Sequence, residues 1–242
     1  MKDELELAAR VHYSCLPEHY EDDWLEVNTR LMPKFILGGD YCSVIPLGEQ
    51  RYMVCICDAV GHGIASALYA ARINTFVLTS ILEGNAPCEL IDLLNEFLCS
   101  RLPGSGMYAS FFVVFINTKT MEMKYAGAGH PAALHISTAD NQTHLLESQT
   151  TLLGIEHPLL VDCPLETHPI SPGDKILLYT DGFTEARNSN GEELGYAGLI
   201  NCVKANAQQN NKDFVDGLYE AVQDFSSGEV KDDMLCMSIL VK

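Results

Sequence analysis

The residues of this chain best suited to chemistry are aspartates set in short turns, most of them marked by glycine. They are Asp40 in Gly38-Gly39-Asp40, Asp58 in Asp58-Ala59-Val60-Gly61-His62-Gly63, Asp181 in Tyr179-Thr180-Asp181-Gly182, and the Asp232-Asp233 pair. The last three each adjoin a run that reads as a β-strand. Carboxylates brought to strand ends from distant points of a sequence build an oxygen-ligand site for Mg²⁺ or Mn²⁺. The chemistry this predicts is metal-dependent work on a phosphoryl group.

Each turn also has a plainer reading. Gly38-Gly39-Asp40 alone is a common turn. Asp58 reads equally as a metal ligand and as the N-cap of the helix that follows its glycines. His62, between two glycines, reads as a hydrogen-bonded structural residue before it reads as a ligand or proton shuttle. Asp181 follows the apolar run Ile176-Leu177-Leu178-Tyr179; a dehalogenase-type nucleophile would need a second carboxylate two residues on, and Phe183 stands there. Asp232-Asp233, taken alone, is a charged turn. Ala126-Gly127-Ala128-Gly129-His130-Pro131 is a sharp connection running close to other backbone, and His130 reads as a structural hydrogen-bonding residue before it reads as a substrate contact. The chain has neither a Gly-x-Ser-x-Gly elbow nor a phosphate-binding P-loop.

The elements that must position these turns follow from periodicity. Residues 4–16 are helix-forming and end at Pro17, and the acidic stretch Glu18 to Asp23 reads as a loop. Leu25 to Met32 alternates as a half-buried strand. Tyr41 to Pro46 and Arg51 to Cys57 form a hairpin, the second strand apolar throughout and running directly into Asp58. A helix is expected from Gly63 to Leu82, with Ile64, Leu68, Ala71, Thr75, Leu78 and Leu82 as its apolar face and small residues in its early turns. A second follows from Pro87 to Leu102. Strands are expected at 109–117, 121–125, 132–136, 143–146, 159–167 and 175–179. Helices at 195–209 and 212–225 and a last strand at 234–241 complete the pattern. Tight turns between successive strands argue for packed antiparallel sheets with helices outside, and against a βαβ Rossmann arrangement.

Composition narrows the partners. The 242 residues carry 33 acidic against 15 basic side chains, a net charge of −18. That balance repels nucleic acid and anionic membrane. Nine cysteines without a CxxC pair argue against structural zinc, and a reduced, cytoplasmic chain with neither signal peptide nor membrane span is expected.

Taken in order, Gly-Gly-Asp, Asp-x-x-Gly-His-Gly, Ala-Gly-His-Pro, Tyr-Thr-Asp-Gly and Lys-Asp-Asp resemble the metal-dependent Ser/Thr protein phosphatases, the PPM or protein phosphatase 2C superfamily. More narrowly, the chain is similar to the bacterial SpoIIE/RsbU branch, from Glu4-Leu5-Glu6-Leu7-Ala8-Ala9-Arg10 through Leu178 to Arg187 and the final strand. The resemblance implies an α+β fold, an α-β-β-α sandwich of two packed antiparallel sheets flanked by helices. It also implies a linker or regulatory helix and loop at 1–22 before a phosphatase domain at 23–242.

For the site, the resemblance implies that Asp58 bridges two Mn²⁺ or Mg²⁺ ions and that the Ala59 carbonyl completes one of them. Asp181 and Asp232 supply further ligands, and Asp40 acts on metal-bound water or on an additional ion. Two cations roughly 3.5–4 Å apart lower the pKa of a shared water enough for attack on phosphoserine or phosphothreonine. The implied substrate is a STAS-type anti-sigma-factor antagonist in partner-switching signalling. The N-terminal helix implies a homodimer or an upstream or separate regulator. Three positions depart from the usual pattern: Ser43 for an Asp, Gly127 for an Asn, and Leu235 for a Thr. Ser43 and Leu235 are expected near the metal shell, which opens an alternative: a non-catalytic phosphatase-like module that sequesters a signalling partner.

Overall fold

The central strands carry apolar residues at successive positions, so both of their faces need cover. The computed structural model describes residues 2–81, 86–102, 104–159, 167–228 and 232–242. In chain order these form α1 (Lys2–Tyr13), β1 (His19–Glu21), β2 (Leu25–Met32), β3 (Tyr41–Gly48), β4 (Arg51–Ala59), α2 (Ile64–Ser80) and α3 (Pro87–Arg101). Then come β5 (Ala109–Asn117), β6 (Glu122–Ala128), β7 (Ala133–Ile136), β8 (Thr143–Leu146), β9 (His168–Pro169) and β10 (Lys175–Tyr179). A 3-10 turn at Asp181–Phe183, α4 (Gly195–Asn206), α5 (Asn211–Phe225) and β11 (Met234–Val241) close the chain. One sheet has the order β1-β2-β11-β10-β7-β8 and the other β3-β4-β5-β6-β9, with antiparallel pairing throughout.

Side-chain alternation explains the layers. From β4, Tyr52, Val54 and Ile56 meet Phe112 and Val114 of β5 and Leu235, Met237 and Ile239 of β11 in a core between the sheets. Met53, Cys55 and Cys57 point the other way, onto Ile73 and Val77 of α2 and Leu90 and Leu94 of α3. Leu177 and Tyr179 of β10 and Cys236 of β11 face Phe214, Leu218 and Val222 of α5. The result is the α-β-β-α sandwich expected from the sequence. Two buried polar residues pin the outer layers. Asn211 donates to the carbonyls of Glu26 and Ser238, and Asn95 joins α3 to Gly154 and Glu156.

Several sequence expectations need correction. Glu18 to Asp23 is not all loop, because His19–Glu21 pairs with β2 and extends that sheet. The expected apolar face of α2 points outward: Ile64, Leu68 and Leu78 are 57%, 63% and 43% exposed. The buried face is instead Ser66, Ala67, Tyr69, Ala70, Ile73 and Val77, because small residues let the helix settle closely on the sheet. The strand β4 continues two residues further, so Asp58 and Ala59 lie within it, paired with Ser110 and Ala109. Of the strand expected at 159–167, residues 160–166 lie outside the described residues, as do Leu82, Gly84 and Cys163. Seven described cysteines are free thiols, whereas Cys88 is disulfide-bonded, so the wholly reduced state expected does not hold there. No helix among the described residues is long and apolar enough to cross a membrane.

Candidate metal centre and catalytic cleft

Three chain segments reach the same end of the sandwich because their strands are neighbours or face each other. Asp58 and Ala59 end β4, Asp181 begins the turn after β10, and Asp232 and Asp233 precede β11. The loop Gly38-Gly39-Asp40 packs against all of this, and glycine is required for the fit. A Cβ on Gly38 would stand 2.0 Å from Asp233 Oδ2, and one on Gly39 would stand 2.3 Å from the Ala59 carbonyl oxygen. A Cβ on Gly182 would lie 2.2 Å from the Asp233 carbonyl oxygen. The Asp233 carboxylate accepts the Lys34 N–H at 2.7 Å and a bond from the Gly39 backbone. It therefore clamps the glycine loop in place.

A cleft of about 740 Å³ opens beside these turns. Asp58, Asp181 and Asp232 line it, together with Glu185, Glu193 and Lys34. Asp40 does not line the cleft; it is buried, and its Oδ2 accepts a 2.9 Å bond from the Thr180 hydroxyl. Thr180 is in turn held by Leu235, whose N–H donates to Thr180 Oγ1 at 3.1 Å and whose carbonyl accepts the Thr180 N–H at 2.9 Å. Thr180 therefore links Asp40 to the strand that follows Asp232. A Thr180→Val variant should keep the fold and lower turnover by roughly an order of magnitude, with Thr180→Ser close to the parent; steady-state kinetics on both variants checks this.

The electrostatics of the cleft are those of crowded carboxylates. Burial first, then the charges of Asp181, Asp232 and Asp233, push Asp58 up to about 7. Burial, then Glu185 and Asp232, push Asp181 up to about 6. Burial, then Asp58 and Asp233, hold Asp40 well above the ordinary carboxylate range, against the opposing bond from Thr180. Burial, reinforced by neighbouring like charges, produces this pattern. Among the described residues, no group of three or more His, Cys, Asp and Glu is placed so that it could hold a metal ion as it stands. The acids share a cleft and a field, and their all-oxygen donor set suits a hard divalent cation.

The geometry also decides the alternatives left open by the sequence. The residue capping α2 is Gly63, at φ 86°, with no side-chain cap bond, so Asp58 does not serve as the N-cap. His62 is exposed and stacks on Phe35, with ring centroids 4.3 Å apart, at the cleft lining. His130 is buried, with Nδ1 2.8 Å from Ser110 Oγ. Ser43 and Leu235 are buried in the sheets and are not part of the cleft lining. Leu235 acts on Thr180 through its backbone alone, so no hydroxyl is needed there. Gly127 has no room for a side chain, since a Cβ would meet Ser148 Oγ at 2.5 Å and the Phe112 ring at 2.7 Å. The sequence reading missed Thr180, Ser110 and the clamping role of Asp233; the only available signal was their position beside the acids.

Two antiparallel sheets between helix pairs, with acids gathered at one end, define the fold of a PP2C-type phosphatase domain. The SiaA-PP2C domain of Pseudomonas aeruginosa has the same fold, with a TM-score of 0.85 at 17% identity, covering 100% of this chain and 97% of that one. The chain belongs to the family described as Stage II sporulation protein E (SpoIIE), which it matches over residues 48–242. That span includes Asp58, Asp181 and Asp232 and begins after Asp40. The chain is also similar to two proteins of Bacillus subtilis (strain 168). It is 26% identical to phosphoserine phosphatase RsbU over 96% of this chain and 68% of RsbU. It is 28% identical to phosphoserine phosphatase RsbP over 75% of this chain, and it spans 45% of that relative.

Proposed function

We propose that the chain hydrolyses phosphoserine and phosphothreonine in a protein substrate, with Asp58, the Ala59 carbonyl, Asp181 and Asp232 holding two Mn²⁺ or Mg²⁺ ions. The charge of the cleft carries this reading. Among the described residues, five carboxylates and one lysine line it, while a phosphate monoester brings roughly two further negative charges. Such a substrate enters only if cations intervene. Divalent cations bound there would supply a water activated near neutral pH and would offset the charge of the phosphate. The chain's own groups then have limited tasks. Asp58 is fixed at a strand end between the other acids, Asp40 is oriented by Thr180, and Asp233 keeps the glycine loop seated. No side chain acts as nucleophile.

Similarity to RsbU and RsbP supports a phosphorylated signalling protein as substrate, and we take it to be an anti-sigma-factor antagonist of the STAS fold, met in the cytoplasm. The competing reading, a non-catalytic sequestering module, drew on Ser43 and Leu235, and neither touches the cleft. The test is hydrolysis of p-nitrophenyl phosphate and of a phosphoserine protein after chelation and after Mn²⁺ addition. Turnover that is indifferent to chelation would overturn the metal reading. Tight partner binding without turnover at saturating Mn²⁺ would favour the sequestering module.

The N-terminal helix α1 as a homodimer contact belongs to the same proposal. Leu7 and Val11 are 53% and 64% exposed on it. Sedimentation of the parent and of Val11→Asp over a range of concentrations decides the matter: association lost in the variant supports the contact, and a monomeric parent removes it.

A further inference from the structure

We infer that His130 is a positioning residue that sets the spacing between the strand ending in Asp58 and the strand leading to Asp181, an inference that rests on the cleft being a cation site. His130 lies just after β6 and is 6% exposed. Its backbone is locked from both sides by Ser148, whose Oγ accepts the His130 N–H at 3.1 Å and donates to the His130 carbonyl at 2.7 Å. One edge of the ring places Nδ1 2.8 Å from Ser110 Oγ. Ser110 is the β5 residue paired directly with Asp58 across the sheet. Toward the other sheet, the Tyr179 backbone, two residues before Asp181, lies near enough to raise the ring's pKa. Nε2 is buried and makes no hydrogen bond. One side chain therefore bonds to the neighbour of Asp58 in one sheet and lies beside the strand end before Asp181 in the other.

The chemical state of the ring fits a strut better than a proton carrier. Burial pushes its pKa down to about 3, with the Tyr179 backbone opposing, so the imidazole is neutral at working pH. A neutral imidazole offers one donor and one acceptor. If Nδ1 accepts from the Ser110 hydroxyl, the proton sits on Nε2, on the side facing the Tyr179 backbone. Loss of the ring would leave a void between the two sheets beside the acids and release Ser110. Metal ligands held by such supports lose affinity when the support is removed, even though the ligands themselves remain.

The experiment is Mn²⁺ binding to chelator-stripped protein, read from loss of the free-ion electron paramagnetic resonance signal, with thermal midpoints recorded on the same samples. Expected is saturable binding by the parent, weakened roughly 10-fold in His130→Ala. A smaller loss is expected in Ser110→Ala, with partial recovery in His130→Gln. Folded His130→Ala and Ser110→Ala that bind Mn²⁺ as the parent does would overturn the inference, even if their midpoints fall. If His130→Ala does not fold, Ser110→Ala alone decides. A parent that binds no Mn²⁺ would instead remove the cation-site reading underneath.

Discussion

Replacing Asp58 with Asn is expected to lower Mn²⁺-dependent turnover by roughly 10³-fold, with Asp181→Asn in the same direction. The swap keeps the side chain's size but replaces one carboxylate oxygen with an amide NH2, so it removes the charge and one oxygen ligand together. Metal-assisted stabilisation of a phosphoryl transition state is worth several kcal/mol, and each 1.36 kcal/mol is a factor of ten. Steady-state phosphate release at saturating Mn²⁺ measures it. Thermal midpoints taken alongside show whether the variants are folded. An Asp58→Asn protein with parental turnover would remove Asp58 from the centre.

The same substitution is expected to stabilise the chelator-treated protein, and by more as pH rises. Asp58 is pushed up to about 7 in the folded chain, against an ordinary value near 3.9. Between those values the folded state holds more protons than the unfolded state, so the stability of the parent falls as pH rises. The loss starts near pH 4 and is complete above pH 7. Asp58→Asn escapes it, so its advantage should grow across this window to the order of a few kcal/mol. Comparing the two proteins matters because His130, whose pKa burial lowers, contributes the opposite slope below about pH 6.5 to both. Mn²⁺ should restore the parent at pH 7.5 and leave the variant largely unmoved. Denaturant midpoints at pH 5 and 7.5, with chelator and with Mn²⁺, check the sign. An advantage for Asn that shrinks with pH would contradict the repulsion described here.

Much of the fold was legible because the strands are short apolar or alternating runs set between turn residues. β2 lies where its alternation put it, β5, β8, β10 and β11 lie at the bounds expected for them, and Tyr52 to Cys57, apolar throughout, does have both faces covered. The face of α2 was misread for a physical reason. Large residues mark a buried face only when they must be buried, and here Ser66, Ala67 and Ala70 make the close contact while Ile64 and Leu68 stay outside. β1 was missed because three residues carry no period of their own and are strand only through pairing with β2.

At the site, the aspartates were legible from turn glycines and motif order, but their division of labour was not. Asp58 and Asp181 stand in the cleft, while Asp40 is buried and tied to Thr180, 140 residues away in sequence. Asp233 read as a mere turn acid, and it proves to hold the backbone on which Asp40 depends. Such contacts join uncharged or paired groups across the two sheets, and no local pattern encodes them.

Calorimetric titration of the chelator-stripped chain with Mn²⁺ at pH 7.5 tests the central claim most directly. The account predicts saturable binding in the parent that is lost in Asp58→Asn and Asp181→Asn while both remain folded. No binding by the folded parent, or equal binding by all three proteins, would contradict it.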